Sequence, residues 1–526
     1  MNKHSLVKGA FVLMVAGVIA KALGAVYRIP LTYIITPQGL GLYQLVYPVF
    51  ALLLVLSSTG APTAISTMVS GFVSKGENGN AKKVFKISLF ILLVLGIVSS
   101  ALLCLFSNRL AILQGNLDIS KLYITISFAI PLVSILSAFK GYFLGLLNMI
   151  PTAISQILEQ FFKLVFGLLL SWILLGKGID YATLGAVLGV VLSEVVAVVY
   201  MVFYYFKQKK RINILGVVKQ VLPTKVLTKL FIKRASPIIM CSFILPLLQM
   251  LDSLLVIRLL NDAGIESTQA TIMWGLYAGV VNSLINLPVA LSLSVAISAA
   301  PNISALTDKQ QIHKTINTCY NMALNIVLPC VVAFVILNSG IISFLYQHSF
   351  LDNQVNQLGL ASFLLLINAP AILFIALLQV QNAVLQGLGH SVFVLINLFV
   401  SGAVKVVLLL LLTKNPNLNI FGVVIANISF YIMAFLVNNF YLWFKIKWHY
   451  NYKKILSCVL ACLLMGIYLY VGTFAFNGLS VYIKLPLLLF VGASVYFSTL
   501  LVLGGIKPLV NNLKSLKNTV YNKKTG

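Results

Sequence analysis

Lys163 and Lys405 stand near the middle of two long apolar stretches that read as two copies of one segment. GYFLGLLNMIPTAISQILEQFFKLVFGLLL begins at Gly141 and AVLQGLGHSVFVLINLFVSGAVKVVLLLLL begins at Ala383. At a shift of 242 residues Gly145 meets Gly387, Leu146 meets Leu388, Ile154 meets Ile396, Lys163 meets Lys405 and Val165 meets Val407. A lysine at mid-membrane costs about 2.5 to 3.5 kcal/mol on insertion scales, so its recurrence reads as a functional cation inherited by duplication. The other ionisable residues within apolar segments are Lys21, Arg28, Lys140, Glu159, Glu194 and Asp252. Together these are five cations against three carboxylates. A cavity of that sign suits an anion, and phosphate oxygens in particular, with bidentate contacts from Arg and a point charge from Lys.

Spacing refines these roles. Lys21 and Arg28 are seven residues apart, about two helical turns, so they share a face and differ in depth by roughly 10 Å. Glu159 lies four residues before Lys163, the order that favours an ion pair within one helix. Before Lys405 that position is Ser401, so Lys405 needs another partner: Glu194, Asp252 or a bound anion. Lys140 lies near the inner end of its segment, where snorkelling to the surface accounts for it. Asp252 is a lone carboxylate in an apolar segment and must be protonated or find a cation. Asn397 and Ser401 offer neutral oxygens for a coupling cation there, and a pair with Lys405 is the competing explanation.

The elements that carry these residues are membrane spans. Of 526 residues, 60% are hydrophobic and 9% charged, far below the roughly 25% charged share of a soluble domain. Apolar runs of the ~20 residues that cross a bilayer number about fourteen. Their approximate limits are 6–34, 41–71, 84–106, 122–146, 152–175, 181–206, 237–260, 271–300, 318–338, 358–380, 391–413, 420–444, 455–475 and 482–504. Pro62 and Pro288 interrupt the second and eighth, where Gly60 and the prolines could form hinges. With a cytoplasmic N-terminus, 26 of the 37 Lys and Arg fall on inner segments, which fixes that orientation and leaves both termini cytoplasmic. The net charge of +27 is thus spread over loops beside anionic lipid, and it excludes a nucleic-acid surface.

The repeat extends beyond the lysines. GLY at Gly41–Tyr43 with AIS at Ala64–Ser66 recurs as GLY at Gly275–Tyr277 with AIS at Ala296–Ser298, and Leu184–Ala186 echoes Phe421–Val423. The fold expected is an all-α integral membrane protein with two six-helix lobes related by a pseudo-twofold along the membrane normal, plus two C-terminal helices. The domains read as 1–206, an N-lobe; 207–234, a basic amphipathic linker on the inner surface; 235–450, a C-lobe; 451–505, the two added spans; and 506–526, a cytoplasmic tail. The first apolar run is too long for a signal peptide and should be retained. Six scattered cysteines read as reduced core residues. There is no GxxxxGK[ST] loop, no HExxH, and little outer loop for catalytic groups, which favours a secondary transporter over an enzyme.

IAKALGAVYRIPLTYIITPQGLGLYQLVYPVF, STGAPTAIS and KGYFLGLLNMIPTAISQILEQ resemble the polysaccharide-exporter class typified by stage V sporulation protein B and Gram-positive MurJ-type lipid II flippases. That class belongs to the multidrug, oligosaccharidyl-lipid and polysaccharide exporter superfamily, and the likeness covers most of the chain. It implies a flippase that carries an undecaprenyl-pyrophosphate-linked sugar (lipid II or a related cell-wall, spore-cortex or polysaccharide precursor) from inner to outer leaflet by alternating access. The expected setting is the plasma membrane, with the protein acting as a monomer on a lipid-linked oligosaccharide whose lipid tail the two added spans, 451–505, are expected to hold. Arg28 matches the family's cavity arginine and Lys21 a basic position before it; Lys140, Glu159, Lys163, Glu194 and Lys405 complete the expected substrate site. Related flippases place sodium around an aspartate of the seventh helix, which corresponds to Asp252; Na+, H+ or membrane potential are the expected drivers, with no cofactor. The extra arginines and Asp-Arg pair of Gram-negative lipid II flippases are missing from LLLVLSSTG and YAGVVNSLINLP. The alternatives are a multidrug or cation antiporter of the same superfamily, and a membrane glycosyltransferase or ligase.

Overall fold

The computed structural model describes residues 3–55, 58, 60–213, 222–304, 306, 308–347, 354–450 and 452–503, and among them every regular element is a helix. The chain runs through α1 (Lys3–Leu54), α2 (Ala61–Ser74), α3 (Asn78–Leu113), α4 (Ile119–Ser127), α5 (Ala129–Gly145), α6 (Ile150–Leu174), α7 (Ile179–Asn213), α8 (Thr224–Asp262), α9 (Ser267–Trp274) and α10 (Asn282–Ser304). It continues through α11 (Lys309–Ile336), α12 (Asn338–Tyr346), α13 (Gln354–Asn368), α14 (Ala371–Gly387), α15 (Ser391–Thr413), α16 (Ile420–Lys445), α17 (Tyr452–Ala475) and α18 (Val481–Val502). Among the described residues twelve helices are long and apolar enough to span a membrane, and a thirteenth if the pair Asn356–Asn368 and Ala371–Gly387, bent by 42°, is one span. The protein is a multi-pass membrane protein. The difference from the expected fourteen lies in α1, which runs through the first expected span and into the second as far as Leu54, so that the two count as one; it is broken at Thr36 (φ 59°, ψ 173°) just before Pro37. A proline pushes its predecessor out of the helical region, and this threonine goes to a backbone region that costs a non-glycine residue about 1–3 kcal/mol.

The break expected near Pro62 is present: α2 starts afresh at Ala61 with Pro62 in its first turn, where a missing N–H is harmless. The break expected at Pro288 is not. Helix continues through that residue, and the irregularity lies upstream in a π-helical turn, Gly275–Val281, between α9 and α10. A wider turn leaves backbone groups and side chains displaced from the regular ladder, which is why such turns gather at functional positions. Of the expected linker, 214–221 lies outside the described residues, as does the tail from 504. The linker's far end is tied down: buried Asn80 at the start of α3 accepts from the Leu222 N–H at 2.8 Å, and Lys83 donates to the Leu222 carbonyl at 2.8 Å.

The described chain forms two compact units, the first made of residues up to Ser283 with Gly402–Ala426, the second of Leu284–Gln347, Asn353–Ser401 and the residues from Asn427 onward. Within the first, α6 and α7 pack backbone to backbone. A Cβ on Gly185 would fall on the Leu170 carbonyl group and Ser171 nitrogen, and one on Gly189 would fall on Gly167. The second copy of the repeat solves the same problem in the same way: a Cβ on Gly422 would meet Leu412 and the Thr413 nitrogen. The GLY motifs go further and face each other. Gly41 lies against the Thr271 backbone while Gly275 lies against the Pro37 carbonyl, each glycine meeting the residue four before its counterpart. Such reciprocity is compatible with a twofold relation between the repeats.

Gly275→Ala therefore drives a methyl into the Pro37 carbonyl and should destabilise the protein by about 1–3 kcal/mol. Gly176→Ala, in open space, should change stability by less than about 0.5 kcal/mol. Thermal unfolding of the two variants in detergent checks the difference.

Candidate functional site

The first unit gathers most of the charged residues singled out above. Arg28, half-buried on α1, donates from Nη1 to the Ser283 hydroxyl at 2.5 Å, and that hydroxyl is itself bonded to the Gly279 carbonyl in the π-helical turn. Thr32 caps the Arg28 carbonyl at 2.7 Å. The guanidinium is thus aimed by a neutral hydroxyl rather than by a carboxylate, and its full charge stays available. Lys21, two turns earlier on α1, is exposed.

Lys163 stands on α6, which packs directly on α1. Its ammonium lies 5.7 Å from the centre of the Tyr27 ring and 5.6 Å from that of Tyr47, with Tyr43 stacked on Tyr47 at 5.7 Å. Two ring faces of α1 stabilise the cation, and Tyr43 stands beside them as a further neutral side chain in reach of the ammonium. Lys163 and Arg28 act on each other electrostatically across the α1–α6 interface. Two cations therefore lie within electrostatic reach of each other, one held against aromatic rings and one by a hydroxyl, and a shared anion is the group that suits both. Ser283 and the tyrosines were not singled out from sequence. Tyr43 lies inside the repeated GLY motif and Tyr47 one turn on, but without the fold a tyrosine at helical spacing reads as core.

The pairing expected within α6 is replaced by one between helices. Glu159 turns to Lys140 of α5, at 3.2 Å, so Lys140 meets a carboxylate instead of running to the surface, and Lys163 is left to the rings. Glu194, on α7, is buried within electrostatic reach of Glu159, Lys140 and Lys163. Lys405, on α15, meets Asp252 of α8 at 2.7 Å with both side chains buried. In the second unit, Asn397 donates to the Ala434 carbonyl and to Asn438 Oδ1, each at 2.8 Å, and accepts from Ser401 at 3.1 Å. The ammonium beside Asp252 supplies the positive charge that a coupling cation would otherwise bring, so no step is routed through a metal ion there. Among the described residues no group of three or more His, Cys, Asp or Glu is placed to hold a metal. The described cysteines are free; Cys458 packs with its sulfur 3.3 Å from the Tyr496 hydroxyl.

A second feature lies within the second unit. An apolar cavity of about 610 Å³ opens between α11, α17 and α18, with Pro329, Phe334, Met465, Leu489 and Ala493 among its walls. Tyr496 closes one side by donating to the Asn325 carbonyl at 3.1 Å.

The buried Asp252–Lys405 pair makes a direct prediction. Lys405→Ala or Asp252→Asn alone should each cost about 3–5 kcal/mol, because one charge stays buried without this partner, whereas Asp252→Asn with Lys405→Met should recover most of the loss. Melting temperatures of the three variants in detergent decide it; a double variant as unstable as the singles rules the pairing out.

Residues 6–307 match the family model described as polysaccharide biosynthesis protein. Among curated proteins, stage V sporulation protein B of Bacillus subtilis (strain 168) is 28% identical over 444 residues, covering 83% of this chain and 83% of the relative. Lipid II flippase MurJ of the same organism is 28% identical over 491 residues, 88% of this chain and 86% of the relative. Among solved structures, lipid II flippase MurJ in an inward closed conformation matches with a TM-score of 0.72 at 15% identity, over 95% of this chain and all of the other. The charged interior, the helical architecture and these matches agree, and the chain belongs to the polysaccharide biosynthesis protein family.

Proposed function

We propose that this protein is a flippase for a lipid-linked cell-envelope precursor, moving an undecaprenyl-pyrophosphate-linked sugar from the inner to the outer leaflet of the plasma membrane. The observation that carries this reading is Arg28 and Lys163, two half-buried cations within electrostatic reach of each other and each held by neutral groups. A guanidinium grips two phosphate oxygens at once and an ammonium supplies a compact charge beside it, which fits a pyrophosphate. The apolar cavity between α11, α17 and α18 suits an isoprenoid chain, since its walls offer dispersion contacts and few polar groups. Exposed Lys21, with its flexible stem, is placed to meet the anion on the way in. Asp252 could serve a coupling cation only in a conformation where the Lys405 ammonium has left it.

In reconstituted vesicles, Arg28→Ala should reduce head-group translocation by about tenfold or more, the worth of one lost charge-assisted contact. Arg28→Lys should keep part of the activity, and both proteins should remain folded. Full activity in Arg28→Ala removes the proposed pyrophosphate contact. Filling the cavity with Ala493→Trp should slow a long-chain substrate while leaving a short-chain analogue near wild type; equal losses would mean that α17 and α18 serve folding alone.

A further inference from the structure

Glu194, expected from the resemblance to line the substrate site, makes no contact that the proposed pyrophosphate grip uses. It is only 6% exposed, near the middle of α7, and its Oε2 is buried without a hydrogen-bond partner. The charged groups that act on it are Glu159 and Lys163 from α6 and Lys140 from α5. The other elements packed on α7 are α1, α4 and the short turn Leu175–Lys177, and none of them, Lys177 included, adds a charged group to that set among the described residues. Lys140 is engaged by Glu159 at 3.2 Å, and Lys163 by the Tyr27 and Tyr47 rings. Neither ammonium satisfies Oε2. An ionised carboxylate here would combine a desolvated, undonated oxygen with a like charge close by, and both raise the cost of the negative form.

We propose that Glu194 is a proton-binding site, occupied in the arrangement described and emptied when the Lys163 ammonium turns toward it. On release the O–H bond breaks, its electron pair stays on the carboxylate and the proton passes to water; uptake is the reverse. Lys163 makes the coupling, because one ammonium cannot fully serve two anions. When it joins Arg28 on a phosphate group, Glu194 loses its compensating charge and takes up a proton. When the anion leaves, the ammonium is free to support ionised Glu194. By reciprocity a neutral Glu194 strengthens anion binding. The coupling clause rests on the pyrophosphate reading; the proton site does not.

The test uses the full chain reconstituted in lipid. Infrared difference spectra should show the C=O stretch of a protonated carboxyl that fades reversibly as pH rises, disappears in Glu194→Gln and persists in Glu159→Gln. Should Glu194→Gln fail to fold, Glu194→Asp serves the same assignment by shifting the band. In a second arm, inorganic pyrophosphate affinity is measured for wild type and Glu194→Gln at each pH, so that the ligand's own titration cancels in the ratio. The two should agree at acidic pH, and wild type should fall behind by about tenfold at alkaline pH, the worth of one pKa unit of coupling. A band that is absent, that survives Glu194→Gln, or that ignores pH overturns the proton site. An affinity ratio that stays flat while the band titrates overturns the coupling. A titrating Glu194 band in a protein that binds no pyrophosphate supports the proton site and instead defeats the pyrophosphate reading.

Discussion

Charge held inside an apolar bundle is the constraint on which the rest of the site depends. Three lysines show three ways of meeting it. Lys405 takes a carboxylate at 2.7 Å in a fully buried pair, Lys140 takes one at 3.2 Å in a half-open setting, and Lys163 takes aromatic faces. The first two arrangements neutralise the charge and add mainly to architecture. The third stabilises the cation without cancelling it, so an incoming anion still feels its field. Chemistry is available at Lys163 for the same physical reason that it is muted at Lys405.

This contrast explains how two equivalent positions in a duplicated chain can serve different ends. The lysines occupy corresponding places on α6 and α15, but one faces the tyrosines of α1 and the other Asp252 of α8. Arg28 falls on the active side of that division. Its partner is the Ser283 hydroxyl, which is bonded in turn to the Gly279 carbonyl in the π-helical turn. A neutral hydroxyl, not an opposing charge, meets the guanidinium.

The membrane class, the helical fold and the list of interior charges are legible in the sequence because each rests on local information: hydrophobic run length and the rarity of lysine in lipid. Pairing is not. Glu159 and Lys163 have the right spacing for an ion pair, yet a neighbouring helix brings Lys140 to the carboxylate, and no single-helix rule contains that competitor. The proline rule worked at Pro62, where the chain could start a helix, and failed at Pro288, where helix continues and the irregularity sits at Gly275–Val281. The same limit hid Ser283 and the tyrosines of α1, whose meaning comes from what α1 packs against.

The reciprocal seating of Gly41 and Gly275 sets a boundary on how this protein can diverge from its own duplicated origin. A side chain gained in either copy collides with the main chain of the other, and main chain cannot be substituted away. The seam is therefore answerable to both halves of the chain at once and can change only by movement of whole helices. Lys163 and Lys405 lie outside it, each facing side chains that can be exchanged one at a time. The repeated segments thus combine a glycine seam fixed by main chain with two lysines whose surroundings can be edited one residue at a time, and those two lysines have taken different partners.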